Sequence, residues 1–162
     1  MSTAKSTRYS PESFLKGKIG EFVFEEMFRR AGRFTVLPFG YEKTLPEVAQ
    51  RVDHVRYKHI LENIRSAPDF VIISHDAANV YMVEVKYRTT KTAEEMLEIA
   101  KGIQKRWTAI WVFLATPDGF YFDSCTDIVK NGGAMARLNT GWVDEETQRE
   151  FGELLRKFVP GK

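Results

Sequence analysis

The sequence predicts an α/β protein, a single domain with a central mixed sheet flanked by helices. Stretches whose apolar residues recur at helical spacing alternate with short β-rich runs, and one such run is almost unbroken, as in a central strand. A chain of 162 residues fits one core. We therefore expect one domain over residues 10–162, after a flexible segment at residues 1–9.

Charge and cysteine content limit the classes of protein that this chain can represent. The net charge of +2 does not mark a polybasic nucleic-acid binder, so any phosphate contact must come from a local patch. One cysteine, Cys125, excludes an internal disulfide and a four-cysteine zinc or iron–sulfur site. The sequence has neither a signal-like start nor a membrane-length apolar window. We expect a soluble, cytoplasmic protein with no membrane partner.

The first predicted helix has clear boundary signals. Ser10, Pro11 and Glu12 are typical of an N-cap, a first-turn proline and a first-turn acid. The helix should run to about Ala31 and end at Gly32. Its apolar residues occupy most of its circumference, which indicates a helix packed on several sides.

A short strand and a helical insert should follow. Residues Phe34 to Phe39 form a short apolar run that suits a strand. From Pro46 to about Arg65 the apolar spacing is roughly helical, so one long or two short helices fit within an insert at about residues 41–67. The arginines and histidines of this insert could contact phosphates without reading sequence.

The centre of the chain predicts a β-hairpin. The runs SAPDFVIIS and VYMVEVKYR are rich in strand-forming residues and are separated only by a turn at residues 75–79. Thr92 and Glu95 then form a capping box for a helix to about Trp107. The run TAIWVFLAT should be a strand buried on both faces.

The remaining segment predicts one more strand, a loop and a helix. The run GFYFD suits a short strand, and residues 130–141 have the composition of a loop. Residues 144–158 have the composition of a terminal helix. The tryptophans are expected in the core rather than as platforms for stacked bases.

Acidic and basic residues of the hairpin predict a metal site. Side chains alternate along a strand, so Glu84, Lys86 and Arg88 should share the face opposite the apolar residues. Asp69 follows Pro68 at the start of the preceding strand, where hairpin pairing brings it close to Glu84. Two adjacent carboxylates repel each other, which favours a proton on one of them. A bound divalent cation offsets this repulsion and keeps both carboxylates ionised. Such a set suits Mg²⁺ or Mn²⁺, with the Lys86 ammonium stabilising a deprotonated water.

These residues also carry a family resemblance. The segment APD, followed by EVK fifteen positions after Asp69, between a helix with acidic residues and a capped helix, resembles the PD-(D/E)xK nuclease superfamily. The resemblance implies a restriction-endonuclease-like αβββαβ core over roughly residues 10–122. It also implies Asp69 and Glu84 as metal ligands, Lys86 as the catalytic lysine and a metal contact from the Val85 carbonyl.

Two further site residues come from the same resemblance. The segment KGKIGEFVFEEMF is similar to the first helix of archaeal Holliday-junction resolvases, which implies Glu21 as a fourth acid and metal ligand, in preference to Glu25 and Glu26. Gln104 matches a glutamine that many members place on the second helix. The nearby helix glycines would let the helix approach the sheet, although ordinary packing explains them equally. The insert departs from the resolvase pattern and leaves junction specificity open.

Several functions fit these residues. The first is a Mg²⁺- or Mn²⁺-dependent nuclease acting on DNA, an endonuclease rather than an exonuclease, for which a two-fold symmetric homodimer is compatible with cutting a duplex. The second is a catalytically inactive nuclease-like module that binds nucleic acid or protein in a larger assembly. The third is a metal-independent interaction module in which Glu84, Lys86 and Arg88 form a solvated strand face.

Other kinds of catalytic site find no support in the sequence. The histidines have no spacing typical of zinc ligands; they are His54, His59 and His75. Ser124 and Cys125 lie near Asp127, but no histidine is placed beside them to complete a nucleophilic triad.

Overall fold

A computed structural model describes residues 10–41 and 58–159. The predicted flexible start at residues 1–9 and most of the insert, including His54, lie outside the described residues. The elements, in chain order, are α1 (Pro11–Ala31), β1 (Phe34–Pro38), α2 (Lys58–Arg65), β2 (Phe70–Ser74), β3 (Val80–Tyr87), α3 (Ala93–Gln104), β4 (Ile110–Thr116), β5 (Gly119–Ser124), α4 (Cys125–Lys130) and α5 (Glu145–Phe158).

The strands form one mixed sheet in the order β1-β2-β3-β4-β5. Only β3 and β4 pair in parallel, across the connection that contains α3, and the other neighbours are antiparallel. The predicted hairpin is confirmed, because β2 and β3 pair with Phe70 opposite Val83. The predicted class, a mixed α/β sheet flanked by helices, is therefore confirmed.

Helix α1 covers one face of the sheet. The Ser10 hydroxyl accepts a hydrogen bond from the Ser13 N–H, and Gly32 ends the helix with a left-handed φ of 69°. The buried side of α1 carries Phe24 and Phe28, whose rings contact Phe113 of β4. Helix α5 packs beside α1 on this face, and its Phe151 and Leu155 join the same apolar cluster.

The opposite face of the sheet carries a second, smaller core. Helices α3 and α4 contribute Met96, Ala100 and Ile128, which cluster with Val112 and Leu114 of β4. Because Phe113 lies in the first cluster, β4 is buried on both faces, as its unbroken apolar run predicted.

Three predictions require correction or refinement. Helix α3 ends at Gln104 rather than near Trp107, because the N–H groups of Arg106 and Trp107 both bond to the Ile103 carbonyl. Helix α4 was not predicted; its N-cap is Ser124. The predicted loop after α4 is present, and part of it pairs with the edge strand β5 through the bridge between Tyr121 and Arg137.

The tryptophans pack as predicted. Trp111 and Trp142 pack against the first cluster, and Trp107 packs against the second. None of the helices within the described residues is long and apolar enough to cross a membrane.

Candidate active site

The hairpin brings Asp69 beside Glu84. The pairing register places Phe70 opposite Val83, so one step further along the two strands Asp69 comes next to Glu84. The backbone on the other side also fixes this position: the Asp69 carbonyl accepts hydrogen bonds from the N–H groups of Phe39 and Gly40, at 2.9 and 3.1 Å. Asp69 is thus held between the ends of β1 and β3.

The Asp69 side chain takes the place of a missing strand partner. Strand β2 pairs with β3 only as far as Val83, and Asp69 Oδ2 accepts a 2.8 Å hydrogen bond from the Val85 N–H. The N–H and C=O of one strand residue point toward the same neighbouring strand. The Val85 carbonyl therefore also points to the side where Asp69 lies, as a shared metal contact would require.

Glu84 and Lys86 project from the same face of β3 and form an ion pair. Lys86 Nζ lies 2.5 Å from Glu84 Oε1, and their side chains are 29% and 17% exposed. The expectation that apolar residues occupy only one face of β3 needs correction. Glu84 and Lys86 stand opposite Val112 and Leu114 of β4, within the second core, so they are half-buried.

Helix α1 approaches β3 closely at Gly20. A Cβ at that position would lie 3.4 Å from the Cβ of Tyr87, so the predicted close approach is confirmed there. It is wrong for Gly17, where a Cβ would meet nothing within 4 Å. The contact at Gly20 places the next residue, Glu21, at the edge of the site.

Glu21 is the acid of α1 that reaches the site. Its Oε2 lies 3.2 Å from Lys18 Nζ, and its charge acts on the Asp69 carboxylate. Glu25 and Glu26 instead pair with Arg29, at 2.8 and 3.9 Å. Of these three acids of α1, Glu21 is thus the one that lies close to Asp69.

The electrostatics of the site disfavour an ionised Asp69 carboxylate. Burial, and then the charges of Glu84 and Glu21, raise the pKa of Asp69 to about 7, despite the hydrogen bond from Val85 that lowers it. Burial lowers the pKa of Lys86, but the Glu84 carboxylate raises it more, so the net shift is upward. Lys86 is therefore a protonated ammonium, and the three acids repel one another.

Two cavities meet at the three acids. Both are lined by Glu21, Asp69 and Glu84. The first cavity also includes Tyr41 and Arg65 from the two described ends of the insert. Part of the insert therefore lies at the site.

The second cavity, which we call the groove, runs from the acids past the end of β3. It is lined by Lys86, Tyr87 and Arg88, and by Ser13 and Lys16 of α1. Sequence reasoning missed Lys16 and Tyr87. The only signal for Tyr87 was a hydroxyl-bearing residue at a position that the alternation assigned to the core.

The structure does not bring Gln104 to the site. Its side chain is exposed at the last position of α3, and it lines neither cavity. The groove meets α3 at Glu95, which pairs with Arg88. Gln104 lies nine positions after Glu95, about 13 Å further along the helix axis.

The residues rejected as other catalytic sites have structural roles or lie on the surface. Ser124 caps α4 by accepting a hydrogen bond from the Asp127 N–H at 3.0 Å. Burial, and then the charge of Glu84, raise the pKa of the Cys125 thiol to about 12, which leaves it unreactive. His59 and His75 are exposed.

The donor set fits a hard divalent cation once its side chains turn toward a common point. In the present conformation, no group of three His, Cys, Asp or Glu side chains within residues 10–41 and 58–159 is arranged to hold a metal ion. The reason is visible in the contacts: Glu84 turns to Lys86, and Glu21 turns to Lys18. Carboxylate and carbonyl oxygens are the ligands that Mg²⁺ and Mn²⁺ prefer.

Comparisons with known proteins identify no family or relative from which a function could be inferred. No protein-family model and no curated protein sequence matches this chain. What can be said of its function therefore rests on Asp69, Glu84, Lys86 and Glu21, on the elements that position them, and on the chemistry that this set permits.

Proposed function

We propose that this protein is a divalent-metal-dependent nuclease of the PD-(D/E)xK type that hydrolyses phosphodiester bonds inside DNA strands. The observation that carries the proposal is the convergence of Asp69, Glu84 and Lys86 at the end of one hairpin, with Glu21 brought up by the close approach of α1. These residues are distant in the sequence, and the fold brings them together around two cavities.

The acids of the site would hold the metal. Asp69, Glu84 and the Val85 carbonyl would bind Mg²⁺ or Mn²⁺, with Glu21 as a further acid within reach of Asp69. When bound, the cation supplies Lewis-acid activation of the scissile phosphate and of a water molecule. The raised pKa of Asp69 supports this role, because a bound cation offsets both the burial and the repulsion by Glu84 and Glu21 that keep a proton on this carboxylate.

Lys86 would act through its positive charge. Its raised pKa keeps it protonated, so it can donate hydrogen bonds but does not take a proton from water. The Glu84 carboxylate holds the ammonium at the site. There it would stabilise the negative charge that develops on the attacking oxygen and on the phosphate.

The surroundings of the acids support a polyanionic substrate. Basic residues line the cavities on both sides of the acids: Lys18 and Arg65 in the first, and Lys16 and Arg88 in the groove. The half-burial of Glu84 and Lys86 argues against a solvated strand face without function. The order of helices and strands supports a restriction-endonuclease-like core, and the preference for DNA and for internal cleavage follows from the resemblance.

A cleavage assay tests the proposal. Supercoiled plasmid, single-stranded DNA, a four-way junction and RNA are incubated with the protein in Mg²⁺, Mn²⁺ or EDTA. Asp69→Ala and Lys86→Ala are compared with the matched controls Asp76→Ala and Lys101→Ala, both at exposed positions. Metal-dependent cutting that both site variants lose and both controls retain would establish the activity.

The opposite result would favour the catalytically inactive binding module. If the wild-type protein cuts none of these substrates, the nuclease proposal fails for them. Binding of the same nucleic acids would then identify a catalytically inactive binding module. Nicking or linearisation of the plasmid shows internal cutting, whereas release of mononucleotides only from free ends would show an exonuclease.

A further inference from the structure

Tyr87 carries a buried hydroxyl without a partner. The side chain is 7% exposed and belongs to the first apolar cluster, yet its hydroxyl finds no hydrogen-bond partner among the described residues. A buried hydroxyl that gives up water without a replacement partner destabilises the fold, and phenylalanine would fill the same space without this penalty. As far as the described residues show, the hydroxyl therefore has a hydrogen-bonding capacity that a bound ligand could fill.

The groove at the site offers the place for that partner. Strand β2 covers the edge of β3 only as far as Val83, so the groove follows the uncovered edge from Glu84 to Arg88. Lys86 and Tyr87 point to opposite faces of β3, and both line the groove because it runs along this edge. The space beside Tyr87 is thus continuous with the space beside the acids.

Two basic residues, Lys16 and Arg88, line the groove together with Tyr87. The Lys16 ammonium acts on the phenol: burial raises the pKa of Tyr87, and the Lys16 charge partly offsets that rise. Arg88 is held at the end of β3, since Glu95 pairs with its Nε and its Nη1 donates a 2.8 Å hydrogen bond to the Tyr87 carbonyl. A hydroxyl donor that shares a groove with two basic side chains is suited to a phosphate oxygen.

We propose that Tyr87, together with Lys16 and Arg88, binds the phosphate adjacent to the scissile phosphodiester. This inference rests on the proposed nuclease function and names the neighbouring contact that places the substrate strand. The strand would pass from the acids along the uncovered edge of β3. Its phosphate would supply the acceptor that the Tyr87 hydroxyl lacks, and so fix which bond reaches Lys86.

The first test removes one oxygen atom. Tyr87→Phe is compared with Tyr81→Phe, the same change on the same face of β3, where the ring packs against Trp111 and Trp142. We expect Tyr87→Phe to raise KM about tenfold and to leave kcat unchanged, because a hydrogen bond to a charged group is lost in binding. Without substrate, its Tm should equal or exceed that of the wild type. A wild-type KM in Tyr87→Phe would overturn the inference.

The second test removes the charge from single phosphates of the substrate. In an oligonucleotide with a mapped cleavage position, each flanking phosphate in turn is replaced by an uncharged methylphosphonate. For the wild type, a methylphosphonate at one position next to the cleaved bond should raise KM. For Tyr87→Phe, the same methylphosphonate should cause no further rise in KM. If each methylphosphonate raises KM by the same factor in Tyr87→Phe and in the wild type, Tyr87 does not contact a phosphate.

Binding separates this inference from the nuclease proposal. If the wild type cuts nothing, the proposed function fails, but the labelled oligonucleotide can still be titrated by fluorescence anisotropy in EDTA and in Ca²⁺. If Tyr87→Phe then binds the oligonucleotide more weakly than Tyr81→Phe does, the inferred contact between Tyr87 and a phosphate still holds, in a protein that binds nucleic acid without cutting it. Equal binding by the two variants would overturn the contact as well.

Discussion

The carboxylate of Asp69 accepts a hydrogen bond from the backbone N–H of Val85 at 2.8 Å, at the point where β2 stops pairing with β3. One oxygen of Asp69 is therefore anchored before any ligand arrives, while Glu84 pairs with Lys86 and has to turn to bind a cation. Such anchoring preorganises one ligand of the proposed centre and leaves the other adjustable.

The stability of the metal-free protein should fall as pH rises from about 4 to about 7. The folded protein keeps a proton on Asp69 up to a pKa of about 7, because burial and the Glu84 charge disfavour the carboxylate, whereas the unfolded chain releases it near 3.8. The folded state thus binds more protons in this window, and its free energy of unfolding decreases as pH rises, by on the order of 4 kcal/mol in total. Below this window the contribution of Asp69 is fully present.

Urea unfolding in EDTA at several pH values measures this slope. Asp69→Asn should flatten the slope, since an amide does not ionise. The control Asp76→Asn should leave the slope across this window nearly unchanged, because the hydrogen bond from Ser74 lowers the pKa of Asp76, so that this carboxylate is ionised in both the folded and the unfolded protein above about pH 4. If wild type and Asp69→Asn show the same slope, the carboxylate is already ionised in the folded protein.

Replacing Lys86 should separate catalysis from metal binding. Lys86→Gln removes the ammonium that would stabilise the transition state, and we expect the cleavage rate at saturating metal to fall roughly 10²-fold. The same change frees Glu84 from its ion pair, so the rise in Tm caused by Mn²⁺ should be at least as large as in the wild type. Tm with and without Mn²⁺, and single-turnover rates, measure the two effects.

Two variants provide the comparison for Lys86→Gln. Asp69→Ala should lose both the cleavage and the Mn²⁺-dependent rise in Tm, because a metal ligand is gone. Lys101→Gln, on the exposed side of α3, should retain both. A Lys86→Gln variant that cuts at the wild-type rate would remove the lysine from the mechanism.

The hairpin and its charged residues were readable from the sequence because local patterns determine them. Alternation along β3 fixes which side chains share a face, and Pro68 marks the start of the preceding segment. Helix α4 was missed because six residues are too few to show helical periodicity. The half-burial of Glu84 and Lys86 was missed for another reason: it depends on β4 and α3 packing over them, which spacing within β3 does not report.

Residues contributed to the site by distant segments were the least predictable. Lys16 lines the groove because α1 packs against β3, and its own sequence neighbourhood carries no signal of this. Arg65, which lines the first cavity, belongs to the insert whose arginines were expected to be able to contact phosphates. Gln104 was selected by its match to the family motif, but it does not lie at the site. The groove meets α3 at Glu95, near the opposite end of the helix. Glu21 was implied by the resemblance of its segment to the first helix of archaeal Holliday-junction resolvases, and the close approach of Gly20 to β3 now places it at the edge of the site.

The contact between α1 and β3 should tolerate one methyl group at Gly20 but no larger side chain. An alanine Cβ would sit 3.4 Å from the Tyr87 Cβ, an ordinary contact, so Gly20→Ala should gain up to about 1 kcal/mol from helix propensity. Gly20→Leu should push α1 away and cost roughly 1 to 3 kcal/mol. Urea unfolding measures both variants. Gly102→Leu in α3, where a Cβ meets nothing within 4 Å, is the control and should not be destabilising.

Glu21 should contribute to metal affinity without being indispensable. In the metal-free protein it pairs with Lys18 at 3.2 Å, yet its charge also acts on Asp69 and so belongs to the repulsion that a cation relieves. Glu21→Gln should therefore weaken Mn²⁺ binding roughly tenfold, less than the loss in Asp69→Ala, and calorimetric titration measures it. Glu26→Gln, on the same helix beside Arg29, should bind Mn²⁺ as the wild type does. Unchanged Mn²⁺ affinity in Glu21→Gln would make this acid an ordinary helix residue paired with Lys18, and the metal would then rest on the hairpin alone.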